Sequence, residues 1–138
     1  MIVVDASVAA KWVLNEGDSP AARTLLGGQD ELVAPELLRL DGMSAITRAA
    51  RNGRLDAVAV EIALDAWFAL LASGRIELVP IEIYLRPTAA LSCDLRHPLY
   101  DCFYLVLAQR LNAILVTTDG TFARRPAAVW PRARLLGT

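Results

Sequence analysis

Apolar residues fall along this chain in two rhythms. Short strand-like runs at residues 2–5, 31–34, 76–80 and 113–117, with a weaker one at 133–136, have the length and the largely apolar side chains of buried strands. Between them the apolar positions recur at helical spacing. A short helix over 7–14 is started by Ser7. Ser19 and Pro20 make a cap and first turn for a second helix, which Gly27 and Gly28 end. Pro35 opens a longer helix to about residue 52, closed by Gly53. Asp56 caps another, stopped by Gly74, and two more cover 87–95 and 99–111. Strands that alternate with helices predict an α/β fold, a mainly parallel sheet of about five strands with helices on both faces.

That pattern gives four carboxylates a special position. Asp5 closes the first apolar run and Asp119 follows the fourth. Both therefore stand at the carboxyl ends of strands, the edge where sites form in parallel sheets. Asp41 shares its helical face with Leu37, Leu38, Ser44 and Ala45. Asp101 shares its face with Tyr104, Leu105 and Ala108, and lies in a first helical turn, where the helix dipole favours negative charge. Taken singly, Asp101 reads as a capping acid and Asp119 as a turn residue before Gly120. Taken together, the four form a cluster of acids directed at the core. Such groups are costly to bury and repel one another, so their convergence implies a bound cation. Oxygen ligands without cysteine or histidine clusters select a hard dication, Mg²⁺ or Mn²⁺, and chemistry on phosphates. Ser7, two residues beyond Asp5, and Thr117 and Thr118, just before Asp119, are hydroxyls placed to fix a carboxylate or a metal-bound water. Ser7 also fits a plain helix cap.

Composition adds three limits. At 138 residues the chain is long enough for one domain, 1–138, with a substantial core. A hydrophobic fraction of 55% and a mean hydropathy of +0.39 are high, yet no apolar run reaches the roughly 18 residues of a membrane helix. The excess apolar content leaves room for a surface that a partner covers. The broad apolar faces between 35 and 73, with Met43, Ile46, Trp67, Phe68, Leu70 and Leu71, are expected mostly in the core. The chain enters a strand at once, with no secretory or transit segment in view, so a cytoplasmic location is expected. Cys93 and Cys102 lack metal or redox spacing and read as small buried thiols. His97, before Pro98, reads as a surface or capping residue, because no Ser or Cys nucleophile accompanies it.

The net charge of −1 argues against a general nucleic-acid binder. Its distribution says more. Residues 1–95 hold 13 acids and 8 bases, whereas residues 96–138 hold 6 arginines and 2 aspartates. Thirteen of the fourteen basic residues are Arg, the side chain suited to forked phosphate contacts, although a high-GC gene would give the same bias.

Three segments together resemble a PIN-domain ribonuclease, specifically the VapC toxin half of a VapBC toxin–antitoxin pair. They are MIVVDASVAAKWVLNE at 1–16, LVAPELLRLDGMSAITRAARNGRL at 32–55 and RHPLYDCFYLVLAQRLNAILVTTDGTFARR at 96–125. The resemblance spans nearly the whole chain, in order. It implies a three-layer α/β/α domain and Mg²⁺- or Mn²⁺-dependent endonucleolytic cleavage of RNA. Asp5, Asp101 and Asp119 match the family's metal ligands and Thr117 its hydroxyl partner. Asp41 falls where the family usually has Glu, one methylene longer, so its carboxylate is expected to reach a metal through water. The resemblance further implies a cognate antitoxin and a homodimer. Arg96, Arg124 and Arg125 are candidates for RNA phosphate contacts, against the alternative of solvated surface charges. Two rival readings stand beside this one: a catalytically degenerate PIN-like module that acts by binding partners, and a phospho-acceptor α/β domain. Asp5-Ala6-Ser7 lacks the second acid that the latter's nucleophile loop needs.

Overall fold

The computed structural model describes residues 1–124 and 130–138. Five strands, β1 (Ile2–Val4), β2 (Leu32–Pro35), β3 (Ile76–Val79), β4 (Ile114–Thr117) and β5 (Ala133–Leu135), form one sheet in the order β3-β2-β1-β4-β5, with every pairing parallel. Each falls on an apolar run read from the sequence, including the weakest. The strands β1 and β2 are buried throughout, as expected where both faces are covered.

Seven α-helices are described: α1 (Ala6–Ala9), α2 (Ser19–Leu26), α3 (Leu38–Arg51), α4 (Ala57–Ala72), α5 (Leu85–Leu95), α6 (Leu99–Leu111) and α7 (Gly120–Arg124). With the right-handed connections that parallel strands adopt, the helices between β1 and β3 lie on one face of the sheet and those between β3 and β4 on the other. The sheet is thus a middle layer, and α6 packs directly on β1, β2 and β4, with α5 outside it. Enclosure on both sides explains why seven consecutive residues of α6, Cys102 through Ala108, are buried. No helix among the described residues is long and apolar enough to cross a membrane.

Two element boundaries differ from the sequence reading. Pro35 does not open a helix: it ends β2, in register with Val79, and α3 begins three residues later. A proline at the last ladder position sacrifices no donor inside the sheet, so it closes a strand as readily as it starts a helix. Nor does Ser7 start the first helix. Asp5 caps it, its side chain accepting from Val8 N, and Ser7 lies within the helix.

Helix α4 is apolar on nearly every side yet buries only the stripe Ala63, Trp67 and Leu71. Val58, Ile62 and Phe68 face outward, and the exposure of Phe68 (52%) departs from its expected place in the core. A helix apolar all round is normally covered all round, so this face lacks a cover within the chain. Cys93 is likewise exposed rather than buried, while Cys102 is buried as expected.

The contact between α3 and α4 depends on a missing side chain. The indole of Trp67 lies against Gly42, where a Cβ would come within 2.1 Å of Cζ2. Trp67 is fully buried, and its Nε1 donates to the Arg39 carbonyl at 3.2 Å, so the ring cannot swing aside cheaply. Gly→Ala in a free helix would gain up to about 1 kcal/mol. Here the overlap should reverse the sign, and Gly42→Ala is expected to destabilise the protein by about 1–3 kcal/mol. A denaturant midpoint equal to or above that of the wild type would refute the close-packing argument.

Candidate functional site

The strand order reverses at β1, because the chain builds β2 and β3 on one side of it and returns to place β4 on the other. Loops leaving the carboxyl ends of β1 and β4 therefore diverge there and leave a crevice. Asp5 and Asp119 are carried on those two ends. From one side of the sheet α3 brings Asp41, and from the other the first turn of α6 brings Asp101. All four aspartates line one cleft of about 190 Å³, together with Ser7, Ala45, Arg48 and Phe122.

Each carboxylate is held by a different donor. Asp5 is 5% exposed, and its Oδ1 accepts from Ser7 Oγ at 2.5 Å and from Val8 N at 3.1 Å. Ser7 Oγ in turn accepts from Thr118 N at 3.0 Å and lies 3.4 Å from Thr117 Oγ1, so that one hydroxyl ties α1 to the end of β4. Thr117, itself buried, accepts from Asp119 N at 3.1 Å. Asp119 caps α7 by accepting from Thr121 N and Phe122 N. Asp41 Oδ2 accepts from the buried Tyr104 hydroxyl at 2.9 Å. Asp101 Oδ2 lies 2.9 Å from His97 Nε2.

Sequence reasoning missed three of these neighbours. His97 is not a surface group. Its side chain is 7% exposed, stacks on Phe122 with ring centroids 4.8 Å apart, and braces Asp101. Its place four residues before Asp101 is the available signal, masked by Pro98 and the loop it implies. Tyr104 is visible as a face-mate of Asp101, but its bond to Asp41 crosses between helices far apart in sequence. Arg48 lines the cleft, whereas Arg96 and Arg124 are not among its lining residues. Arg96 instead ends α5 in a left-handed conformation (φ 51°). Arg125 lies outside the described residues.

The electrostatics follow from this crowding. Burial lifts the Asp5 carboxyl from 3.8 to about 6, partly opposed by hydrogen bonds from Ser7, Thr117 and Val8 and reinforced by the charge of Asp101. Burial also raises Asp41. Tyr104 and Arg48 lower it, and Asp101 adds to the rise. Burial pushes the Tyr104 hydroxyl strongly upward, with Asp41 adding to it, so Tyr104 remains a donor at any physiological pH. Among the described residues, no lysine or arginine forms an ion pair with any of the four aspartates. A cleft lined by four hard carboxylate donors suits Mg²⁺ or Mn²⁺. No three Asp, Glu, His or Cys side chains among the described residues stand close enough to form a ready ligand set.

Comparison with known proteins gives a consistent result. The PIN domain matches residues 2–128. Ribonuclease VapC9 of Mycobacterium tuberculosis is 35% identical over 119 residues, covering 86% of this chain and 86% of that protein. Among solved structures, VapC20 of Mycobacterium tuberculosis, described as a Sarcin-Ricin loop cleaving toxin, superposes with a TM-score of 0.68 at 16% identity, over 90% of this chain and 94% of that one. A toxin–antitoxin complex from Klebsiella pneumoniae gives 0.62 at 12% identity, over 97% and 96%. At such identities the structural likeness is one of fold.

The raised Asp5 value carries a stability consequence. Between 3.8 and 6 the unfolded chain releases this proton while the folded chain keeps it, so ionised Asp5 destabilises the fold above pH 6 and not below 3.8. The full penalty is about 3 kcal/mol. Asn caps a helix as well as Asp does and carries no charge. Without divalent ions, Asp5→Asn is expected to resist urea better than the wild type near pH 8 and to lose that advantage near pH 4. Equal midpoints at both pH values would show that the carboxylate is not held at a cost.

Proposed function

The chain belongs to the PIN-domain family, and from that premise we propose that it is an endoribonuclease, the toxin component of a type II toxin–antitoxin pair. The observation that carries this reading is the meeting of Asp5, Asp41, Asp101 and Asp119 at one cleft on the carboxyl edge of the sheet. Asp5, Asp101 and Asp119 would hold Mg²⁺ or Mn²⁺, with Asp41 acting through water. A bound dication would activate a water and offset the charge that builds on the phosphate under attack.

The chain's own groups set the stage for that chemistry. Ser7 and Val8 fix the rotamer of Asp5, His97 braces Asp101, and Tyr104 restrains Asp41. Preset carboxylates need no reorganisation when substrate arrives, which is the main source of electrostatic catalysis. Hydrolysis adds water at phosphorus and breaks the bond to the 3′ oxygen, which takes the proton. The products are a 5′-phosphate and a 3′-hydroxyl. Specificity for one RNA would come from loops that fit its folded shape and its unpaired bases.

The uncovered apolar face of α4 supports protein partners, an antitoxin and a second copy of this chain. A partner that places a basic side chain among the four aspartates would compete with the cation and silence the enzyme.

The test uses protein freed of any bound partner, mixed with total RNA and Mg²⁺ or Mn²⁺. Discrete fragments are expected, abolished by chelator and reduced at least about a hundredfold by Asp5→Ala or Asp101→Ala. Fragments that survive both controls would be contamination. Wild-type protein that binds partners tightly but cleaves no RNA would establish the degenerate module instead.

A further inference from the structure

A second pocket, about 180 Å³, opens beside the carboxylate cleft. The two share Ser7, Ala45 and Arg48, so they adjoin, with Arg48 at the join. The sign of the lining charge reverses across that join. The cleft presents four aspartates, and the neighbouring pocket presents Lys11, Arg48 and Arg54 against the single acid Glu16. Resting on the nuclease reading, we propose that this pocket is a phosphate subsite: it grips the RNA backbone phosphate that adjoins the bond being cleaved, through the guanidinium groups of Arg48 and Arg54 with Lys11 behind them.

Three features of the pocket support this. Glu16 bonds both Lys11 and Arg54, the latter at 2.9 Å, so it fixes two cations side by side; with Asp18 also on Lys11 these charges balance, and the excess positive charge of the pocket is that of Arg48. Asp18 shares Lys11 at 3.0 Å, which leaves the two arginines as the outward-facing cations. The Arg48 side chain forms no hydrogen bond or ion pair among the described residues, and its charge acts on Asp41 inside the cleft. An arginine with its whole fork unused, one step from the chemistry, is placed to take a phosphate bidentately.

The need for such a site follows from the rest of the molecule. A chain with net charge −1 has no general attraction for RNA, and four carboxylates repel the strand at the point of cleavage. Affinity for the backbone must come from a local patch beside them, and such contacts position the strand without reading its bases.

Binding of a short fluorescein-labelled oligoribonucleotide, followed by anisotropy in EDTA so that no cleavage occurs, tests the subsite directly. Arg48→Gln and Arg54→Gln are each expected to weaken binding about tenfold and to lower the salt-dependence slope by about 0.7 for each phosphate no longer neutralised. Arg48→Lys should recover part of the affinity. Arg110→Gln, at the opposite edge of the sheet, serves as the control and should change neither quantity. In the cleavage assay Arg48→Gln should lower kcat/KM by at least the factor by which it weakens binding. Wild-type and Arg48→Gln protein that bind RNA equally, or wild type that binds no RNA, would overturn the subsite. So would an Arg48→Gln variant that keeps RNA affinity but loses a copurifying protein, since that assigns the pocket to a partner's acid. A wild type that binds RNA through Arg48 but cleaves none leaves the subsite standing and removes the nuclease reading alone.

Discussion

The burial of carboxylates side by side in one cleft, Asp5 above all, is the constraint to which this edge of the protein is fitted. Parallel strands deliver their carboxyl ends to one side of the sheet, and the reversal of strand order at β1 opens a crevice there. Acids at the ends of β1 and β4 and on α3 and α6 share one small cleft, and burial there, with the charge of Asp101 adding to it, raises the Asp5 carboxyl. Nothing in the hydrophobic core requires this. Val4, Leu115 and Leu105 would pack as well around a neutral group. The charge at Asp5 is retained at a cost in stability, and retained instability at a cleft is the physical mark of a site.

The same edge explains why the acids do not scatter. Each is anchored by a donor from a different element, and the anchors interlock. Ser7 joins the start of α1 to the end of β4. Tyr104 reaches from α6, on one side of the sheet, to Asp41 on α3, on the other. His97 sits between Asp101 and Phe122, so the first turn of α6 and the short helix after Asp119 keep a fixed relation. A shift in any one element would be felt at several carboxylates, and rigid placement of this kind is what transition-state stabilisation needs.

Much of this is legible in the sequence, for a definite reason. Buried parallel strands are short apolar runs, and a charged residue that ends one can only lie at the edge. Asp5 and Asp119 can therefore be placed before any coordinates. Asp41 and Asp101 follow from helical spacing. What cannot be read are the contacts between segments distant along the chain. Nothing near Tyr104 announces Asp41, 63 positions away. Arg48 is one arginine among thirteen, distinguished only by the face of α3 on which it stands. His97 misleads because Pro98 signals a loop, and a loop histidine is usually solvated. Here Phe122 covers it. Pro35 misleads because the same residue can close a strand or open a helix.

Asp41 shows how a departure from the family pattern can be absorbed. The PIN resemblance leads one to expect the longer Glu at this position. A shorter side chain draws its carboxylate back toward its own helix, and Tyr104 meets it there with a buried hydroxyl that stays protonated. One oxygen is thereby satisfied by the protein and the other remains available. Such a group is better suited to hold a water than to bind a cation directly. Mg²⁺ gives up its water reluctantly and accepts that arrangement. The shorter acid leaves the charge in the cleft, on which affinity for a dication depends, unchanged.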